Sequence, residues 1–88
     1  MEFEWDEAKR QLVLAKHRLD FADALLIFRG PHVILEARSE AEAREIAVGL
    51  LGGRMVSIVF TRRGDKMRLI TARRARENEQ REYRAIHA

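Results

Sequence analysis

Apolar and polar positions along the chain change period several times, and each change marks an element. Phe3 and Trp5 alternate with Glu2 and Glu4, the period of a short edge strand that turns its aromatics inward. Asp6 is placed to cap a helix in which Ala8, Leu12, Ala15 and Leu19 recur at helical spacing, with Lys9, Arg10 and Lys16 elsewhere on the circumference. That helix is predicted to end near His17 or Arg18. Asp20 caps a second, with Asp23 as a short acidic residue in its first turn. Phe21, Ala24, Leu25 and Phe28 form its inward stripe, and Gly30-Pro31 stop it.

From His32 the pattern becomes strand-like. His32 to Ala37 is apolar and β-rich, and a turn through about Glu42 leads to a strand over Ala43–Leu51, where Ile46, Val48 and Leu50 alternate. Gly52-Gly53 is a two-residue hairpin signal. Arg54–Thr61 follows as the central strand, with Val56, Ile58 and Phe60 on one face and Met55, Ser57 and Val59 on the other. Arg63-Gly64-Asp65 turns the chain into Lys66–Ala72, read as Met67, Leu69 and Thr71 opposite Arg68, Ile70 and Ala72. The helical period returns at Ala75, with Ala75, Glu79, Tyr83 and Ile86 near one stripe, so a glutamate interrupts the inward side. Together these elements predict a single α+β domain over 1–88: a small antiparallel meander packed with two N-terminal helices and one C-terminal helix.

Composition sharpens the picture through charge. Residues 45–88 hold ten basic and five acidic side chains, net +5, which leaves −2 for the rest of the net +3. A field of that sign draws polyanions such as RNA or DNA, or an acidic protein. Arginine outnumbers lysine fourteen to three, which suits planar, bidentate phosphate contacts. There is no cysteine, and three scattered histidines, His17, His32 and His87, argue against a zinc centre. The charged opening MEFEWDEAKR and the lack of an apolar run of about 18 residues predict neither a signal peptide nor a membrane span, hence a cytoplasmic protein.

Several of these residues stand in an order that carries a resemblance. Phe3-Glu4-Trp5-Asp6, Lys9, Lys16-His17, Phe21, Ala24 and Phe28 open it, and Arg44-Glu45-Ile46-Ala47-Val48-Gly49 forms the middle. Arg63-Gly64, Arg68-Leu69-Ile70-Thr71-Ala72-Arg73, Ala75, Glu79 and Tyr83 close it. Over nearly its whole length the chain thus resembles the BrnT family, toxins of bacterial type II toxin–antitoxin systems with a RelE-like ribonuclease fold. Two positions depart from the family pattern. Thr71 replaces a serine and keeps the hydroxyl, whereas Val13 replaces an asparagine and removes a polar group beside Lys16 and His17.

The resemblance implies a metal-independent RNA endonuclease that needs no cofactor and drives the 2′-hydroxyl onto the adjacent phosphate. A cognate DNA-binding antitoxin is its implied partner, and a homodimer or a hetero-oligomer with that antitoxin stays open. Arg44, Arg68 and Arg73 occupy motif positions that could clamp the scissile phosphate; as surface arginines they could instead pair with Glu36, Glu42 or Glu45. Glu79 and Tyr83, at i and i+4, could act as base and as donor or stacking ring. The other reading of this pair is a glutamate bridged to Arg73 or Arg68 and a tyrosine at the edge of the core. Lys16 and His17 end the first helix, and His17, as an imidazole, is a candidate acid or base as well as a helix cap. Arg62, Arg63 and Arg74 are expected to widen the RNA-binding surface.

The rival function class is a non-catalytic module of a regulatory complex that binds protein and nucleic acid. A general single-strand binder is disfavoured, because the six aromatics do not interleave with the arginines.

Overall fold

Alternation of period two over much of the chain builds one five-stranded sheet, and the helical stretches cover its two faces. The computed structural model describes residues 2–37 and 43–87. In chain order the elements are β1 (Glu2–Glu4), α1 (Glu7–His17), α2 (Phe21–Ala24, continued by a 3-10 turn over Leu25–Arg29) and β2 (His32–Ala37). They continue with β3 (Arg44–Leu51), β4 (Arg54–Arg63), β5 (Lys66–Arg74) and α3 (Glu77–His87). The predicted turn through Glu42 lies outside the described residues.

The strand order is β1-β5-β4-β3-β2, with β4 central as expected. Strands β2 to β5 form the predicted antiparallel meander, but β1 joins β5 in parallel, Phe3 opposite Met67, so the sheet is mixed. A three-residue strand carries no signal of its partner's direction. At the β3–β4 hairpin Gly52 and Gly53 have φ of 58° and 79°, the two left-handed residues that a tight turn of this twist demands.

The principal core lies between the sheet and the N-terminal helices. Phe21, Ala24 and Ile27 pack on Ile58, Phe60 and Leu69, and all six are sealed from solvent. Burying one such side chain contributes roughly 1.5–3 kcal/mol. Gly49 permits the close approach of the 3-10 turn, since a Cβ there would sit 2.6 Å from Ile27 Cγ2.

Asp6 caps α1 as expected, its Oδ1 accepting the N–H groups of Ala8 (2.8 Å) and Lys9 (3.2 Å). The inward residue of α1, however, is Val13; Leu12 is 69% exposed, and Ala8 and Ala15 also face water. The run Leu12-Val13-Leu14-Ala15 is apolar on every side, so periodicity specifies the helix but not its rotation. The second helix tightens after one turn. Its 3-10 continuation, with three residues per turn, brings Ile27 inward below Ala24, a position absent from the predicted stripe. Asp20 caps α2 through the Ala22 N–H (3.0 Å) and takes a two-point bridge from Arg10 (2.8 and 2.9 Å), which pins α1 to α2.

On the opposite face α3 packs a smaller core, with Tyr83 and Ala75 against Val48, and Val33, Leu35 and Met55 around them. The predicted stripe fails at Ile86, which is 69% exposed. His87, itself exposed, lies against the core edge instead, its ring 4.9 Å from that of Tyr83 and its Nε2 3.0 Å from the His32 carbonyl oxygen.

One irregularity in β5 changes which side chains share a face. Val59 pairs with Thr71 but Phe60 pairs with Leu69, so Ile70 is an extra residue in the ladder. Met67, Leu69 and Ala72 therefore face the principal core, while Thr71, expected beside Met67 and Leu69, turns to the α3 face. Arg68 and Arg73 are an odd number of residues apart, and strict alternation would separate them. The bulge places both on the α3 face.

Candidate functional site

On the α3 face the strand register aligns side chains in rows that cross the sheet. The row beneath α3 runs Val33, Val48, Ser57 and Arg73; the next runs Leu35, Ile46, Val59 and Thr71. Beyond them, Arg44 on β3, Thr61 on β4, Arg68 on β5 and Glu4 on β1 make a third row, in which Thr61 Oγ1 donates to the Ala43 carbonyl at 2.8 Å. Neighbouring strands are ~4.8 Å apart and rows ~7 Å apart, so Arg44 and Arg68 flank Thr61 with side chains long enough to meet over it.

The third row is cationic and incompletely satisfied. Arg68 and Glu4 are half-buried and form a loose ion pair, Nη1 to Oε2 at 3.8 Å. Arg44 Nε is sealed from solvent without a hydrogen-bond partner among the described residues. Such an atom costs free energy unless an acceptor is supplied.

Arg73 and Glu79 occupy the end of the row under α3. Arg73 Nη1 and Nη2 donate to Glu79 Oε1 (2.7 Å) and Oε2 (2.9 Å), a two-point bridge with the carboxylate only 3% exposed. Ser57 Oγ donates to Oε1 at 2.9 Å, and so does the Arg76 backbone N–H at 2.7 Å. This last bond is half of a capping box, with Glu79 as the third helical residue reaching back to the residue that precedes α3. Burial pushes the Glu79 carboxyl pKa up, but Arg73, the Arg76 N–H and Ser57 outweigh it and hold the group at about 2. Glu79 is thus a fixed anion that orients Arg73, with its oxygens already occupied.

The other residues singled out from the sequence fall elsewhere. Tyr83 is 7% exposed and belongs to the core under α3. Exposed Lys16 and half-buried His17 end α1, which lies in the layer on the far side of the sheet, and neither side chain bonds to another described residue. Arg62 also faces that side, where it donates to Glu45 at 2.6 Å and lies over the Phe60 ring at 5.6 Å. Arg63 is exposed at the β4–β5 turn, and Arg74 is exposed beside α3. The fold therefore places Arg44, Arg68, Arg73 and Glu79 on one face of the sheet, and Lys16, His17 and Arg62 on the other.

Sequence reasoning passes over three members: Glu4, Ser57 and Thr61. Glu4 stands inside the Phe3-Glu4-Trp5-Asp6 motif, but alternation marks it only as the outer side of an edge strand. Ser57 and Thr61 interrupt an apolar central strand, and a buried hydroxyl there signals a polar partner.

Among the described residues no helix is long and apolar enough to cross a membrane, and no group of three His, Asp or Glu side chains is placed to hold a metal. A comparison with curated proteins gave no match. Among solved structures, the ribonuclease toxin BrnT of Brucella abortus is similar, with 32% sequence identity and a TM-score of 0.69, over 88% of this chain and 99% of that one. Residues 5–79 match the family described as the ribonuclease toxin BrnT of type II toxin–antitoxin systems. The ordered motifs, the mixed sheet with its three helices, and these two matches agree: the chain belongs to the BrnT family of ribonuclease toxins.

Proposed function

We propose that this chain is an endonuclease that cleaves RNA on the open part of the α3 face and is silenced by a cognate antitoxin covering that face. The reaction is attack of a ribose 2′-oxygen on the adjacent phosphorus, with the 5′-oxygen leaving. It needs a base for the 2′-hydroxyl proton, a proton for the leaving oxygen, and fixed donors for the charge that develops on phosphorus. Arg44 and Arg68 fill the last role, as the two cations that flank Thr61 in the third row. Arg73, held flat by Glu79, adds a cation on the same face two rows away. Glu4, the carboxylate of the third row, takes the 2′-hydroxyl proton, and water supplies the proton for the 5′-oxygen. Glu79 and Tyr83 act as positioning residues, one through Arg73 and the other through the packing of α3. No metal or cofactor enters this scheme.

The observation that carries the reading is the β5 bulge, which sets Arg68 and Arg73 on the face that Arg44 shares. The test is cleavage of single-stranded RNA by purified protein in buffer containing EDTA. Arg44→Ala and Arg68→Ala are expected to lower kcat by about 10²–10³. His17→Ala is expected to stay within several-fold of the natural chain. A folded natural protein that leaves RNA intact refutes the nuclease reading. Loss of cleavage in His17→Ala with retention in Arg68→Ala returns the chemistry to the end of α1.

A further inference from the structure

We infer a second phosphate-binding subsite for the same RNA, in a cleft of about 310 Å³ where Arg54, Arg74 and Arg84 converge beside α3. The inference rests on the reading of the chain as an RNA-cleaving toxin and adds where a further stretch of the strand is held. The Gly52-Gly53 hairpin, the end of β5 and α3 form its walls.

Five basic side chains outside this cleft are held in ion pairs. Arg10 pairs with Glu7 and Asp20, Arg62 with Glu45, Lys66 with Glu2, Arg68 with Glu4 and Arg73 with Glu79. Arg54, Arg74 and Arg84 have no ion pair with a described acid, and no described acid lines the cleft. Three guanidinium groups around one concavity repel one another, and an anion between them converts that repulsion into attraction. The remaining polar wall is arranged to hold one of them. Gln80 Nε2 donates to the Ala75 carbonyl at 2.9 Å, which turns its Oε1 to accept from Arg84 Nη2 at 3.1 Å. A guanidinium held by a neutral amide keeps its full charge for a ligand.

The cleft belongs to a different nucleotide from the scissile one. Met55, in its wall, lies six residues along β4 from Thr61, roughly 20 Å at ~3.4 Å per residue. Arg74 follows Arg73 at the end of β5 and lines the cleft beside α3, beyond the row beneath that helix. The ligand is therefore the phosphate backbone of a single-stranded RNA, read without regard to base.

The experiment uses a 2′-O-methyl oligonucleotide, which cannot be cleaved by 2′-oxygen attack, and follows its binding by fluorescence anisotropy across a salt series. Arg54→Gln/Arg84→Gln is expected to raise Kd about tenfold and to lower the slope of log Kd against log salt by about 0.7 for each phosphate no longer neutralised. Arg54→Lys/Arg84→Lys, which keeps the charge, is expected to restore most of the slope. Unchanged Kd and slope in a folded Gln variant overturn the subsite, as does a Gln variant that loses only the antitoxin. Binding is read without cleavage, so the two readings fail separately. A chain that binds but does not cleave, with the Gln effect present, refutes the nuclease and keeps the subsite. A chain that cleaves, with the Gln effect absent, does the reverse.

Discussion

Glu79 receives four hydrogen bonds on two oxygens in a setting 3% exposed, and the consequence is measurable in acid. Its carboxyl titrates at about 2 in the folded chain against an ordinary value of 4.5. A depressed folded pKa means that the unfolded chain binds the proton first. The stabilisation is therefore complete above about pH 4.5 and is lost as pH falls from there toward 2. The difference corresponds to roughly 2–4 kcal/mol. In urea melts across that window, Glu79→Gln is expected to be less stable than the natural chain at neutral pH and to converge with it below about pH 3. Asp20 is also held at about 2, by Arg10 first and by the Ala22 N–H second. It sits near the surface, where solvent screens the interaction, so Asp20→Asn should remove less of the acid slope. Equal slopes in the natural chain and Glu79→Gln would show that the bridge is not formed in solution. The sequence offers Glu79 as a base or as one half of a salt bridge. The bridge from Arg73, six residues away, and the contact from Ser57, 22 residues away on the central strand, decide between them, and the second is not legible in the chain.

Elements are legible where local chemistry suffices and misread where packing chooses among equals. Caps, the glycine hairpin and alternation in β4 act within a few residues, and their predictions hold. The rotation of α1 depends on which of four consecutive apolar residues meets β5. The face of Thr71 depends on a bulge that no local residue announces. The end of α1 carries a further local signature in the fold. Arg18 has φ 56° and ψ 36°, and its N–H closes the helix on the Leu14 carbonyl at 3.0 Å. A side chain in the left-handed region costs roughly 1–2 kcal/mol, and glycine at this position carries no such cost but gives back part of the gain through a more flexible unfolded chain. Arg18→Gly is therefore expected to stabilise the protein by about 0.5–1 kcal/mol, seen as a higher urea midpoint at unchanged m-value. A lower midpoint would mean that the Arg18 side chain makes an interaction worth more than the backbone strain.

At the scale of the molecule the sheet is a partition. It divides a basic half-sequence into arginines that share the α3 face and arginines that do not. Arg62 and Arg63 are adjacent in the chain and equivalent in composition, yet Arg62 faces the principal core side and is tied to Glu45. Arg62→Ala is expected to change RNA cleavage by less than about threefold, against the 10²–10³ expected for Arg68→Ala under the same conditions. Comparable losses in the two variants would mean that RNA engages both faces. The net +5 of residues 45–88 draws RNA to the molecule, but its distribution over two faces decides which charges can touch one strand.

By itself the sequence determined the α+β class, the meander of β2 to β5, the helix caps and the family, because each rests on neighbours in the chain or on an ordered set of motifs. Tertiary structure alone decided the parallel docking of β1, the placement of Lys16 and His17 on the other side of the sheet, and the shared face of Glu4, Arg44, Arg68 and Arg73. Those outcomes depend on register between strands distant in sequence and on one extra residue in β5. A single-residue shift in a period of two moves a side chain to the other face, and composition leaves no trace of it.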